Sequence, residues 1–351
     1  HMVAPADTYL RLFGPEKSPA GRDIVLVNPE SRPANECMWE ILKRNLPILE
    51  SERANNFLHF FTPGMKKLPN YIELDTPEIN FKAYRNKASL TLSEEEMQHG
   101  REWLASMGIG PDDWYVCVAN RDPAYLERTE SARDWTYSNF RNSSVDGLVD
   151  AATEIVRRGG YVFRMGAEVD RPWPGPKNDK IIDYAVHHYS PFLDVFLSAT
   201  CRFFLANNNG LGALPNAFGT RMCFANMVPY IFQGFQPGGF SIPKLATDIT
   251  TGEVLHFREL KKRGLFDLNS AIELQFADAY PQRGISLIEN TAEDILALCL
   301  DMFTYGSLAD VPPEIREFQG FYVREYIGID SPFVGAPIAP SFIRNYRSLM
   351  E

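Results

Sequence analysis

The sequence predicts an α/β fold carrying parallel sheets. Short apolar runs of strand length alternate with segments of helical period through much of the chain. Successive strand–helix–strand units call for right-handed crossovers, and these give a parallel sheet. The 351 residues suggest about two domains. A boundary is expected near residue 110, with 3–110 as the first domain, 111–310 as the second and 311–351 as a tail.

The elements follow in order. Ile24–Val27 reads as a strand ending at Asn28-Pro29. Glu36–Leu49 reads as a helix, with Met38, Ile41, Leu42 and Leu46 on one face. Phe57–Phe61 is expected to be a strand stopped by Pro63-Gly64. Ser93 and Glu96 form a capping box that opens a helix closed by Gly108. Asp112-Asp113 follows Pro111 and reads as a turn before a strand, not as a metal pair.

The second part begins with the strand Trp114–Ala119 and a long polar loop, Asn120–Ser143. Ser143/Ser144 cap a helix over Val145–Arg158, ended by Gly159-Gly160. The strands Tyr161–Met165 and Ile181–Tyr184 follow, then a helix from Ser190 to Ala199. Arg202–Ala206 is a strand, Asn207–Gly210 a turn, Leu211–Phe218 a short helix and Arg221–Ala225 a strand. Thr291 caps a helix running to about Gly306, and Glu314–Glu325 reads as helical. No sequence repeat of fixed period is present.

Composition removes several function classes. The net charge is −10, and the longest basic run is Lys261–Lys262–Arg263, so a nucleic-acid partner is not expected. The five cysteines form no CxxC pair, which disfavours a zinc or redox motif and suggests a reducing compartment. The most apolar stretch, Val195–Ala206, is broken by Arg202, so no transmembrane segment is expected. No signal peptide is recognised, and His1-Met2 reads as an expression remnant. A cytoplasmic place is expected, with peripheral contact at the inner membrane left open. The motifs G-x-G-x-x-G, G-x-x-x-x-G-K and G-x-S-x-G are absent from the sequence.

In an open parallel sheet a ligand sits beyond the carboxyl ends of the strands. That rule selects Asn120-Arg121-Asp122, then Arg141-Asn142-Ser143-Ser144, then Met165-Gly166, then Asn207-Asn208-Asn209-Gly210. Two of these lead into helices, whose free N–H groups and dipole suit an anion. Arg121 and Arg141 add planar forks suited to phosphate oxygens. The plainer alternatives are helix caps for Ser143 and Ser144, a surface ion pair of Arg121 with Glu127 or Asp134, and a left-handed turn for the asparagines. His187-His188 read as a base, a nucleotide contact or a solvated loop pair, Trp173 as a stack on a base or sugar or as loop packing, and Pro237-Gly238-Gly239 as a turn or a lid.

The run Arg141-Asn142, then Gly160–Gly166, then Ile182-Asp183-Tyr184 resembles a bacterial family of glycosyltransferases of surface-carbohydrate biosynthesis. Leu193–Leu197, Cys201–Leu205, Asn209-Gly210-Leu211, Pro215, Phe218-Gly219 and Asn226 continue the resemblance. So do the Arg121-Asp122 loop, the Met38–Leu49 segment and Ser341-Phe342. The match is strongest over 114–230. It implies two Rossmann-like domains with parallel sheets, of the GT-B type and distantly fucosyltransferase-like. It also implies a C-terminal helix that crosses back to the first domain. The chain departs from the pattern at Ala119, where the family carries a histidine, and at Asn207-Asn208-Asn209, where it carries small hydroxyl residues.

The resulting expectation is a metal-independent glycosyltransferase with no cofactor beyond its donor. A sugar would move from a nucleoside diphosphate sugar, of GDP or UDP type, to a hydroxyl acceptor such as a glycan, a lipid-linked sugar or a small molecule. Arg121 and Arg141 would neutralise the leaving diphosphate. Asp122 is the first choice of general base, with Glu127 and Asp134 behind it. Asn142, Ser143, Ser144, Arg164, Met165, Gly166, Asn207, Asn208, Asn209 and Gly210 are expected around the nucleotide. A nucleotide-sugar epimerase and a non-catalytic glycan- or nucleotide-binding protein are the alternatives.

Overall fold

The computed structural model describes residues 3–14, 25–27, 33–67, 79, 82–129, 131–132, 134–232, 238–328 and 335–351. Ten strands are present among them. Val25–Val27 (β1) and Ile48–Glu50 (β2) pair as a small parallel sheet. The main sheet has six strands: Tyr115–Ala119 (β3), Tyr161–Arg164 (β4), Ile181–Ile182 (β5), Phe204–Ala206 (β6), Met222–Met227 (β7) and Phe240–Pro243 (β8). Leu245–Asp248 (β9) and Ile285–Ile288 (β10) form an antiparallel ribbon.

All neighbours in the main sheet are parallel, in the order β5-β4-β3-β6-β7-β8. Numbered from β3, this is the 3-2-1-4-5-6 order of a doubly wound sheet. The chain runs outward from β3 in one direction, then returns to β6 and runs outward in the other. The crevice-forming reversal therefore lies between β3 and β6, and their carboxyl ends are Ala119 and Ala206.

The strand period of two divides β3 between the two faces of the sheet. Val116 and Val118 enter one core with the helices Val149–Arg157 and Ala292–Thr304. Tyr115, Cys117 and Ala119 enter the other with the helices Glu94–Ser106 and Pro191–Thr200. Both faces are covered, as a parallel sheet requires. The helices Val3–Phe13 and Glu36–Asn45 form a third cluster against Pro191–Thr200 and Ala213–Phe218. Arg11 fastens that cluster: it pairs with buried Asp7 and donates to the carbonyls of Asn86 and Asn216.

The predicted caps hold. Ser93 accepts from Glu96 N, and Glu96 accepts from Ser93 N. Thr291 and Asp294 make the same reciprocal pair. Asn35 is a cap that sequence reasoning missed: its Oδ1 accepts from Met38 N at 2.8 Å.

Several expectations change. Phe57–Phe61 lies in a helix, Glu52–Met65, opened by Ser51, whose side chain accepts from Ala54 N. Phe57, Phe60 and Phe61 are spaced for one helix face and do not alternate as a strand would. Glu36–Leu49 divides into a helix ending at Asn45 and the strand β2. The polar loop after β3 contains the helix Ala124–Thr129 and a 3-10 helix, Thr136–Arg141. The helix after Ser144 starts with a 3-10 turn, Val145–Leu148. Ile24 and the Asn28-Pro29 turn lie outside the described residues, as does Pro237.

The last helix, Pro340–Met350, also differs from expectation. It packs on Ala292–Thr304, Pro313–Tyr322 and Phe257–Lys262, all within the second part of the chain. Phe342, Ile343 and Met350 fill the core on that face of the main sheet. Tyr346 donates to Asp294 and Ser341 N to Asp301, which holds the helix there.

Candidate functional site

The loops after β3 and β6 meet at the sheet's reversal point, and Asn207 ties them together. Its Oδ1 accepts from Arg121 N at 2.9 Å. Its Nδ2 donates to Arg141 O at 2.9 Å and to Ser143 Oγ at 3.1 Å. The residue is 3% exposed. Both polar atoms of the amide are spent on protein groups, so Asn207 is a brace and not the ligand amide expected of it.

Asn208 donates to Val228 O at 3.1 Å, and Asn209 caps a 3-10 turn by accepting from Gly212 N at 3.1 Å. None of the three asparagines is left-handed; among described non-glycine residues only Asn226 has positive φ, at 56°. Gly210 opens that turn and is exposed.

The second predicted helix start is also occupied. Ser144 N donates to Glu289 Oε2 at 2.9 Å, and Ser144 Oγ accepts from Asp146 N and donates to the Asp146 carboxylate. Arg171 pairs with Asp146 beside it. Ser143 donates its backbone N–H to Arg121 O and accepts from Asn120 Nδ2 at its own carbonyl. These serines cap and brace, and carboxylates of the protein fill the anion position at this end.

Arg121 and Arg141 lie differently. The Arg121 guanidinium donates to Ser138 O at 3.2 Å, Ser138 Oγ at 2.7 Å and Asn142 Oδ1. All three acceptors are neutral. Burial, followed by the charge of Arg141, lowers its pKa to about 10. Arg141 is also held below the ordinary arginine range, again chiefly by burial. Its Nε is buried without a hydrogen-bond partner. Neither guanidinium pairs with a carboxylate among the described residues. Two partly buried cations that form no ion pair raise each other's cost.

Lys244, just after β8, adds a third cation that sequence reasoning missed. It is 4% exposed, and its Nζ donates to Asn142 O at 2.8 Å. Burial lowers its pKa. The only local signal was a lysine directly after a strand end, in a strand that the turn-like Pro237-Gly238-Gly239 concealed.

Asp122 caps the helix Ala124–Thr129: Oδ1 accepts from Ala124 N at 3.0 Å and Oδ2 from Asp170 N at 3.3 Å. Asp134 accepts from Thr136 N and Oγ1, which lower its pKa. Glu127 is exposed and its carboxylate has no hydrogen-bond partner among the described residues. A cavity of about 190 Å³ opens beside Arg121, and Glu127, Asp134 and Trp135 stand in its wall.

The remaining predicted residues belong to the frame. Arg164 is fully buried, pairs with Asp183 at 3.1 Å and donates to Arg171 O. It is unavailable to a ligand because its guanidinium is sealed beneath the loop it holds. Met165 is buried and donates its N–H to Val118 O. Gly166 has φ 151°, and a Cβ there would meet Val169 at 2.8 Å, so local backbone shape alone demands glycine. His188 packs beside Trp103. Asn142 does join the site, through Arg121 and Lys244.

No family model and no curated protein matches this sequence. Among solved structures, the chain is similar to one described as glycosyl transferase family 9 from Veillonella parvula DSM 2008. The TM-score is 0.39 with 10% identity, over 64% of this chain and 77% of that one. Among the described residues no helix is long and apolar enough to cross a membrane.

Proposed function

We propose that the protein is a glycosyltransferase whose Arg121 and Arg141 hold the diphosphate of a nucleoside diphosphate sugar. The carrying observation is that two partly buried guanidiniums at the reversal point of a doubly wound sheet form no ion pair with a carboxylate among the described residues. Such a pair is costly in the empty protein and becomes favourable once an anion bridges it. Asn207 holds the backbones of both residues, and Ser138 and Asn142 hold the Arg121 guanidinium, so that fork is positioned before the ligand arrives.

The reaction proposed is displacement at the anomeric carbon. The acceptor hydroxyl gives its proton to a carboxylate while its oxygen bonds to that carbon. The bond to the diphosphate oxygen breaks, and the electron pair leaves with the diphosphate. Arg121 and Arg141 stabilise that developing charge, which is the electrostatic part of the catalysis. This charge neutralisation supports a metal-independent reaction. Glu127 replaces Asp122 as the preferred base, because both oxygens of Asp122 already accept backbone N–H groups. The GDP or UDP choice and the hydroxyl acceptor remain part of this proposal.

The test is thermal denaturation with UDP, GDP, ADP and CMP, with and without EDTA. At least one diphosphate raises the midpoint, because a ligand of the native state stabilises it, and EDTA leaves the rise intact. Arg141→Ala abolishes it. A well-folded protein that no nucleotide stabilises would sink the proposal.

A further inference from the structure

The cavity beside Arg121 has a character of its own. Its volume of about 190 Å³ is below the roughly 300–1,000 Å³ of pockets that enclose whole drug-sized ligands. That enclosed volume is on the scale of one ring. Glu127 and Asp134 place two carboxylates in its wall, which disfavours a phosphate there. Trp135 and Leu126 give an apolar side, and Asn139 gives an amide. Carboxylates and amides receive and bridge hydroxyl groups, whereas an indole takes the C–H face of a saturated ring.

We infer that this cavity, walled by Leu126, Glu127, Asp134, Trp135 and Asn139, is a subsite for a single pyranose ring. Arg121 also lines this cavity, so an uncharged polyol bound there would adjoin an anion held by that guanidinium. The inference rests on the proposed role of the two arginines only for its link to a diphosphate. The ring is either the acceptor or the sugar carried by the donor, two sources with the same chemistry.

Saturation-transfer NMR with methyl α-D-glucopyranoside and methyl α-D-galactopyranoside tests the subsite, and calorimetry with pyrophosphate tests the arginines separately. Transfer to the ring protons of at least one glycoside is expected in the wild type and is lost in Trp135→Ala and Glu127→Gln. Pyrophosphate binding persists in both variants, which also shows that they fold. Transfer that survives both substitutions, or no transfer from either glycoside while pyrophosphate binds, overturns the subsite. Transfer without pyrophosphate binding supports the subsite and refutes the diphosphate role instead. A third arm locates the source. If UDP-glucose or UDP-galactose binds more tightly than UDP, and Trp135→Ala removes the difference, the ring is the donor's. If the glycoside signal persists beside saturating nucleotide sugar, the ring is the acceptor.

Discussion

Arg141→Met should stabilise the empty protein while removing its anion binding. The guanidinium is partly buried, its Nε has no partner, and Arg121 lies close enough to interact electrostatically. An unsatisfied buried donor costs about 1–3 kcal/mol. Methionine keeps the apolar stem that passes near Phe140, 5.9 Å from ring centre to guanidinium carbon. Residual solvent access lowers the recoverable part, so the net gain is about 1 kcal/mol. Urea denaturation of wild type and variant measures it through the midpoint at unchanged slope. The same samples, titrated with a nucleoside diphosphate, should reverse rank, because only the wild type gains from the ligand. A variant less stable than wild type by about 1 kcal/mol or more, with nucleotide stabilisation retained, would refute the reasoning.

Three further predictions concern the frame. Asp194 is buried, and burial, opposed by a bond from Tyr184, raises its pKa from 3.8 to about 7. Between those values the folded chain keeps a proton that the unfolded chain has lost, so stability falls as pH rises through the window. Asp194→Asn should therefore gain about 4 kcal/mol at pH 8 but only about 2 kcal/mol at pH 5, in order of magnitude; equal gains in urea melts at both pH values would contradict this. Gly100→Ala sets helix propensity, about 1 kcal/mol in favour of alanine, against a Cβ placed 2.2 Å from the Phe196 ring. Overpacking should win and lower stability by about 1–2 kcal/mol, and a raised thermal midpoint would show the helices can part. Asn207→Ala leaves Arg121 N without its acceptor and should cost about 2 kcal/mol, with nucleotide affinity falling alongside; an unchanged urea midpoint would rule out the brace.

Legibility in the sequence followed the range of the interactions. Caps such as the Ser93–Glu96 box and Thr291 act within three residues and were readable directly. The strands β3, β4, β6 and β7 announced themselves as apolar runs, and the carboxyl-end rule then found Arg121 and Arg141. Glu289 did not, since its bond to Ser144 N crosses 145 positions. Lys244 meets Asn142 across 102. Residue type misled where one side chain serves either purpose. Asn207 and Asp122 are polar groups at strand ends, as a ligand site requires, but braces and caps need the same groups. Arg164 shows the limit of the strand-end rule, because the strand's last side chain turned into the frame beneath the loop. Phe57–Phe61 shows another: a dense apolar cluster masked its own helical spacing.

The central claim is that Arg121 and Arg141 together bind a diphosphate, and calorimetric titration with pyrophosphate, UDP and GDP measures it most directly. Wild type should bind at least one of them, each single arginine-to-methionine change should weaken that binding strongly, and the double variant should bind none while remaining folded. Undiminished binding in the folded double variant would contradict the account.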